Sequence, residues 1–291
     1  MSRNTGEMLL GKDMDMPEEC THDCGSCSAD CSSRKGPKKE QLHAKSKIGK
    51  IIGVVSGKGG VGKSMVSSLL AVALNRAGYR VGILDADITG PSIPKAFGLR
   101  AGTVEGDAEG LYPARTAGGI DVVSLNLLLP EETSPVIWRG PVIAGTVKQF
   151  YTDVIWDNID YLIVDCPPGT GDVPLTVFQS FKIDGIVIVS SPQELVAMIV
   201  KKAANMANMM DVPVLGLVEN MSFVRCPDCG KEIHLFGESR IDAVSAEFGY
   251  PVLAKLPIDP ALAALVDAGK IEQVAADPMS DAAKAIVDAL K

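Results

Sequence analysis

The stretch from Ile51 to Arg76 constrains this chain more than any other. It opens with Ile51 to Ser56 (IIGVVS), an apolar β-branched run fit for a buried strand. It closes with Lys63 to Arg76, where Leu69, Leu70, Val72, Ala73 and Leu74 give a helix-like pattern. Between them stands Gly57-Lys58-Gly59-Gly60-Val61-Gly62-Lys63-Ser64. Such glycines let backbone N–H groups close around phosphates, Lys63 reaches the β- and γ-phosphates, and the Ser64 hydroxyl ligates Mg²⁺. Strand, loop and helix in this order place the phosphates at a helix N-terminus, where the dipole favours anions.

From there, strand-like runs alternate with helix-like ones. Val81 to Leu84, Tyr161 to Val164, Gly185 to Val189, Val214 to Val218 and Val252 to Leu256 read as the later strands, several apolar at nearly every position. The expectation is an α/β fold with a mostly parallel, doubly wound sheet whose ligands bind beyond the strands' carboxyl ends. Two of those ends carry carboxylates, in Asp85-Ala86-Asp87 and in Asp165-Cys166-Pro167-Pro168-Gly169-Thr170-Gly171-Asp172. Beside a phosphate loop, Asp165 is placed to hold Mg²⁺ or its waters, and Asp87 to orient or deprotonate an attacking water. The Pro-Pro-Gly-Thr-Gly loop is suited to sensing the γ-phosphate. Cys166 reads as a small packed hydrophobe.

The chain has 291 residues, of which 46% are hydrophobic, enough for one large domain with a short appendage. Residues 1–47 read as a cysteine-rich, flexible N-terminal extension with a basic linker, and 48–291 as the folded domain. No apolar leader follows the start and no charge-free run approaches the roughly 18 to 20 residues that span a bilayer, so the expected location is the cytoplasm, without a membrane. A net charge of −8 with pI near 5.0 argues against a nucleic-acid partner.

Seven cysteines in a chain of this kind point to metal more than to disulfides. Cys226 and Cys229 form a CxxC in a turn-rich loop after the fifth strand, and two thiolates are half a tetrahedral site. A second copy of the chain or cysteines from elsewhere complete it, and both Fe–S and zinc suit S₄ geometry. Cys20, Cys24, Cys27 and Cys31 supply four thiolates within twelve residues, a whole Fe–S or zinc site in one chain.

The segments GKGGVGKS (57–64), DADITGPS (85–92) and DCPPGTGD (165–172) closely resemble the Mrp/ApbC scaffold ATPases. Val136-Ile137-Trp138-Arg139-Gly140-Pro141 and Gln149-Phe150, between them, add to the likeness. These ATPases share a lysine-bearing variant phosphate loop with MinD, ParA and the nitrogenase iron protein. The resemblance covers roughly residues 48 to 270. It implies a P-loop NTPase of the SIMIBI type that binds and hydrolyses ATP as a homodimer. Lys58 then reaches the nucleotide of the other subunit, as an arginine finger does. Asn220 lies on the adenine edge with Pro257 nearby, and Cys226 and Cys229 hold a [4Fe–4S] cluster bridging the dimer, for transfer to apo iron–sulfur proteins. The alternative is a MinD- or ParA-like positioning ATPase with structural zinc at its cysteines. The expected catalytic set is Lys58, Lys63, Asp87 and Asp165, and the expected nucleotide contacts are Gly57 through Ser64, Asn220 and Pro257.

Overall fold

The structure, a computed structural model, describes residues 39–87, 92–129, 140–192, 196–275 and 277–291. Cys20, Cys24, Cys27 and Cys31, and the segment Val136 to Arg139, lie outside the described residues. The first half runs β1 (Ile48–Val55), α1 (Lys63–Arg76), β2 (Val81–Asp85), α2 (Ser92–Phe97), β3 (Glu105–Gly106), β4 (Leu111–Tyr112), β5 (Ala114–Arg115), β6 (Asp121–Ser124), α3 (Leu125–Leu128) and α4 (Gly140–Thr152). The second runs β7 (Ile159–Asp165), α5 (Asp172–Ser180), β8 (Gly185–Ser190), α6 (Val196–Met209), β9 (Val214–Glu219), β10 (Val224–Arg225), β11 (Glu232–Ile233), α7 (Ile241–Phe248), β12 (Val252–Lys255), α8 (Pro260–Asp267), a 3₁₀ turn at Ile271–Gln273 and α9 (Ser280–Ala289).

Eight strands form one sheet in the order β12-β9-β8-β1-β7-β2-β6-β5. Neighbours pair in parallel except β5, which runs antiparallel along β6. The expected mostly parallel, doubly wound α/β fold is what forms. Alternation along β1 shows why its sequence is apolar throughout. Ile52 and Val54 join a cluster with Leu69, Leu70 and Leu74 of α1, while Ile51 and Val55 join the opposite one, with Phe150, Phe178 and Val200. Covering both faces lets nearly every strand side chain contribute about 1.5–3 kcal/mol of burial if large and apolar.

β1 lies in the middle, with β7 and β2 on one side and β8 and β9 on the other. The chain leaves β1 through α1 to reach β2, and β7 later fills the gap between them. That register sets Asp165 beside both Val54 and Asp85, so two carboxylates come together at the carboxyl edge next to the loop after β1.

Among the described residues, those ahead of the expected linker boundary at residue 47 are already bonded to the domain. Glu40 N–H donates to the Ser180 carbonyl at 2.8 Å, the Lys39 ammonium to the Phe178 carbonyl at 2.6 Å, and Lys47 N–H to the Trp156 carbonyl at 2.9 Å. Ser46 Oγ donates to the Val154 carbonyl and accepts from Trp156 N–H. Main-chain, hydroxyl and ammonium bonds, with the Glu40–Lys148 ion pair and Leu42 against the core, fasten this segment, and a basic, periodicity-free sequence gives no pattern that foretells them.

Candidate functional site

Helix α1 begins at Lys63, as its apolar pattern predicts, and Gly62 precedes it at φ 75°. That left-handed backbone suits glycine, and a Cβ there would lie 2.2 Å from Asn220 Nδ2. At Gly57 the constraint is contact alone, since a Cβ would come within 2.4 Å of Ile199 Cγ2. The loop is tied from below, with Ser56 Oγ donating to the Lys58 carbonyl at 3.0 Å and Gly169 N–H donating to the Ser56 carbonyl at 2.8 Å. The second bond joins the Pro-Pro-Gly-Thr-Gly loop to the strand end that carries the phosphate loop. A cavity of about 430 Å³ opens above, walled by Lys58, Gly60, Lys63, Ser64, Asp87 and Lys95 among others.

One carboxylate organises the charges. Asp165, fully buried, takes the Ser64 hydroxyl on Oδ2 at 2.6 Å, the Ser67 hydroxyl on Oδ1 at 2.6 Å, and the Lys63 ammonium at 2.9 Å. Asp87 lies 3.8 Å from the same ammonium. Burial works against the Lys63 charge, but Asp165 and then Asp87 outweigh it and lift its pKa above the ordinary lysine value. The Ser64 hydroxyl and the Asp165 oxygens form a compact set of hard oxygen donors at the mouth of a phosphate loop. They fit Mg²⁺, and these two side chains would hold it.

Two participants were not singled out from sequence. Ser67, one turn after Ser64 on α1, shares the same carboxylate; its signal is the i, i+3 spacing of two serines on the face below the loop. Asp85 is buried, accepting from Ser124 Oγ at 2.8 Å and from Asp87 N–H at 3.1 Å. Burial first, and the Asp165 charge second, push its carboxyl well above the usual carboxylate range, against the Ser124 hydrogen bond. Burial and the neighbouring Asp165 thus both disfavour a second charge at this edge.

Asn220, expected on the adenine edge, is fully buried against the phosphate loop, with Nδ2 donating to the Val61 carbonyl at 2.9 Å. Pro257 is half-buried two residues beyond β12. Cys166 is fully buried in the apolar cluster beneath α5, and burial pushes its thiol up to about 12. The other two described cysteines are accessible. Cys226 is half-buried and Cys229 exposed, on the turn between β10 and β11. Cys226 N–H donates to the Lys231 carbonyl at 2.9 Å and Gly230 N–H to the Cys226 carbonyl at 2.9 Å, closing a knuckle. Backbone N–H groups of Cys229 and Asp228, then the Cys229 thiol, hold the Cys226 thiol below its ordinary value. Ile233, Leu235 and Phe236 stand exposed beside it.

Residues 47–291 match the family described as ParA: NUBPL iron-transfer P-loop NTPase. The chain belongs to this family. Among curated relatives of this NUBPL-type NTPase, an iron-sulfur cluster carrier protein of Clostridium perfringens is 46% identical over 87% of this chain and 92% of its own length. One from Methanocaldococcus jannaschii is 43% identical over 83% and 86%. A solved nucleotide-binding protein of Archaeoglobus fulgidus in complex with ADP superposes with a TM-score of 0.72 at 47% identity, covering 79% of this chain and 90% of that one. The cell division ATPase MinD of Pyrococcus furiosus, at 21% identity and a TM-score of 0.57 over 83% and 99%, shares the fold alone. Among the described residues no helix is long and apolar enough to cross a membrane.

Proposed function

We propose that this NTPase is an ATP-hydrolysing homodimer that assembles a [4Fe–4S] cluster on Cys226 and Cys229 of two subunits and passes it to apo iron–sulfur proteins. The observation that carries the reading is the coexistence, in one domain, of the Lys63–Asp165–Ser64 phosphate site and an accessible thiol pair on a hairpin a few residues past β9. The relatives named iron-sulfur cluster carrier proteins support the cluster, and the ADP complex of the Archaeoglobus fulgidus protein supports the nucleotide.

In this reading loop N–H groups from Gly59 to Ser64 surround the phosphates, and Lys63 leaves its carboxylate partners to neutralise the β- and γ-oxygens. Ser64 and Asp165 would hold Mg²⁺, which would supply further charge neutralisation. Asp87, at the cavity wall, orients the water whose oxygen attacks the γ-phosphorus as the bond to the ADP oxygen breaks. Lys58, reaching into the partner's site, stabilises the charge that develops on the transferring phosphoryl group. Pro257 lines the base. Thiolates favour metal, and the backbone N–H groups that lower the Cys226 thiol favour its thiolate form. Two copies give four, and the apolar Ile233, Leu235 and Phe236 beside them suit a surface covered by a second subunit. The four N-terminal cysteines are proposed as a separate Fe–S or zinc site, and the cytoplasm as the location.

The positioning-ATPase alternative fits less well. α9 turns Ile286 and Val287 into the core, leaving no apolar face for a lipid surface. The test is anaerobic reconstitution of the full chain with iron and sulfide, followed by Mössbauer spectroscopy beside a Cys226→Ala/Cys229→Ala variant. The expected result is loss of one cluster signal in the variant. Absence of iron and sulfide from the reconstituted wild type would overturn the proposal. Lys58→Ala is expected to bind ATP and hydrolyse it about a thousandfold more slowly, the loss typical of a missing finger cation. Unchanged turnover would leave Lys58 without that role.

A further inference from the structure

The phosphate loop and the thiol hairpin are joined by a short, fully bonded path inside one subunit. Val61, in the middle of the loop, accepts the Asn220 Nδ2–H at 2.9 Å. Asn220 directly follows β9, and its main-chain N–H donates to the Ser190 carbonyl at 2.8 Å. The next residue, Met221, has φ +58°, a left-handed conformation that a non-glycine side chain adopts at a cost. Ser222 is held on three sides. Its N–H donates to the Leu256 carbonyl at 2.8 Å, its hydroxyl to Glu219 Oε2 at 2.6 Å, and its carbonyl lies 3.3 Å from His234 Nδ1, just past β11. Phe223 accepts from Ile258 N–H at 2.8 Å, and β10 then leads straight to Cys226.

We infer that Asn220 is a positioning residue that transmits the state of the phosphate loop to the Cys226–Cys229 knuckle within a single subunit. The physical reason is the rigidity of the peptide unit. The Val61 carbonyl and the Gly62 N–H belong to one plane, so the N–H cannot turn toward a phosphate without the carbonyl turning too. The Asn220 amide is bonded to that carbonyl and packed against Gly62, where even a Cβ would come within 2.2 Å. It has no room to ignore the rotation. Motion of Asn220 passes through the constrained Met221 to Ser222, which is bonded to His234 at the far strand of the hairpin. The inference rests on the proposed roles of the loop and of the two thiols, and it adds a route that needs no change in subunit contact.

The experiment is peptide-resolved alkylation of the reduced, metal-free full chain by iodoacetamide, read by mass spectrometry. Rates at Cys226 and Cys229 are measured at saturating Mg·ADP and at saturating non-hydrolysable Mg·ATP analogue. The wild-type rates should differ between the two nucleotides by about fivefold or more, the lower end of ordinary coupling between sites. Asn220→Ala and Asn220→Asp, the latter similar in size but lacking the donor, should bring the ratio close to one. Ser222→Ala and His234→Ala leave the loop contact in place and should reduce the ratio as well, so the inference stays testable if the Asn220 variants do not fold. A wild-type ratio of one, or wild-type ratios in all four variants, overturns it. So does failure of folded Asn220 variants to saturate with nucleotide, which would put Asn220 on the base itself. A ratio that depends on protein concentration would assign the coupling to subunit contact. Iron and sulfide do not enter this readout, so its failure is distinguishable from failure of the cluster-carrier reading.

Discussion

Ser67→Ala tests whether Asp165 is the organising group of the site. The Ser67 hydroxyl lies 2.6 Å from Asp165 Oδ1 and 3.1 Å from the Lys63 carbonyl, and its single proton serves one acceptor at a time. The shorter contact is to a carboxylate, and both residues are fully buried. A hydrogen bond to a charged group contributes about 1.5–3 kcal/mol. Alanine recovers up to about 0.5 kcal/mol as the better helix former. The expected net loss is therefore about 1–2.5 kcal/mol, or a fall in Tm of about 2–10 °C at the 2–4 °C per kcal/mol of a domain this size. Urea unfolding of the nucleotide-free, metal-free chain measures it, with the m-value unchanged. Ser68→Ala is the internal control, because Ser68 Oγ donates only to the Ser64 carbonyl one turn back, at 2.8 Å. Its loss should stay within about 0.5 kcal/mol. Equal effects of the two substitutions would refute the reasoning, since the Asp165 contact would then add nothing to an ordinary helix back-bond.

The remaining predictions concern the loop glycine and the buried thiol. Gly62→Ala places a Cβ at φ 75° and 2.2 Å from Asn220 Nδ2. It should cost about 2–3 kcal/mol, from the left-handed backbone and the lost Val61–Asn220 bond, with loss of nucleotide binding in a calorimetric titration. Cys166 has its thiol raised by burial from 9.0 to about 12, so it stays protonated in the folded chain at pH values where the unfolded chain has lost that proton. The unfolded state then binds fewer protons, and stability falls as pH rises through this window, by up to about 1.4 kcal/mol per unit from this group. Below pH 9 the contribution is fully present. Denaturant titrations between pH 8 and pH 11 should show a shallower decline in Cys166→Ala, and parallel curves for the two proteins would refute the assignment.

Much of the fold was legible because the strands are buried on both faces. IIGVVS, VGIL, YLIV and GIVIV are apolar almost throughout, and that pattern has few other uses in a chain without long spans. At the C-terminal end, α9 packs Ala283 and Ile286 in the core. The edge was harder. β6 has four residues and β5 two, too few for a period to declare itself, and β5 runs antiparallel because the short turn from Thr116 to Ile120 joins it directly to β6. Lys39 to Lys47 escaped for another reason. What holds it is a mixture of hydrogen bonds to carbonyls of α5 and of the turn before β7, the Glu40–Lys148 ion pair at 2.7 Å and the single apolar Leu42 against the core, and no period links them.

Sequence alone determined the phosphate loop, because a turn that must present consecutive N–H groups at a helix N-terminus tolerates few residues besides glycine, and its flanking strand and helix are local. It also determined the identity of the thiol pair and the turn-rich loop that carries it, since CxxC spacing is a property of a few consecutive residues. Tertiary structure decided which carboxylate meets which cation. Asp85, Asp87 and Asp165 are separated by up to eighty positions, and only the insertion of β7 between β1 and β2 brings Asp165 against Lys63, Ser64 and Ser67 while leaving Asp85 buried and disfavoured as an anion. It likewise decided where Asn220 points. A residue at a strand end can face a ligand or a neighbouring loop, and the side is set by the packing of β9 and α1 on the finished sheet, which no local pattern encodes.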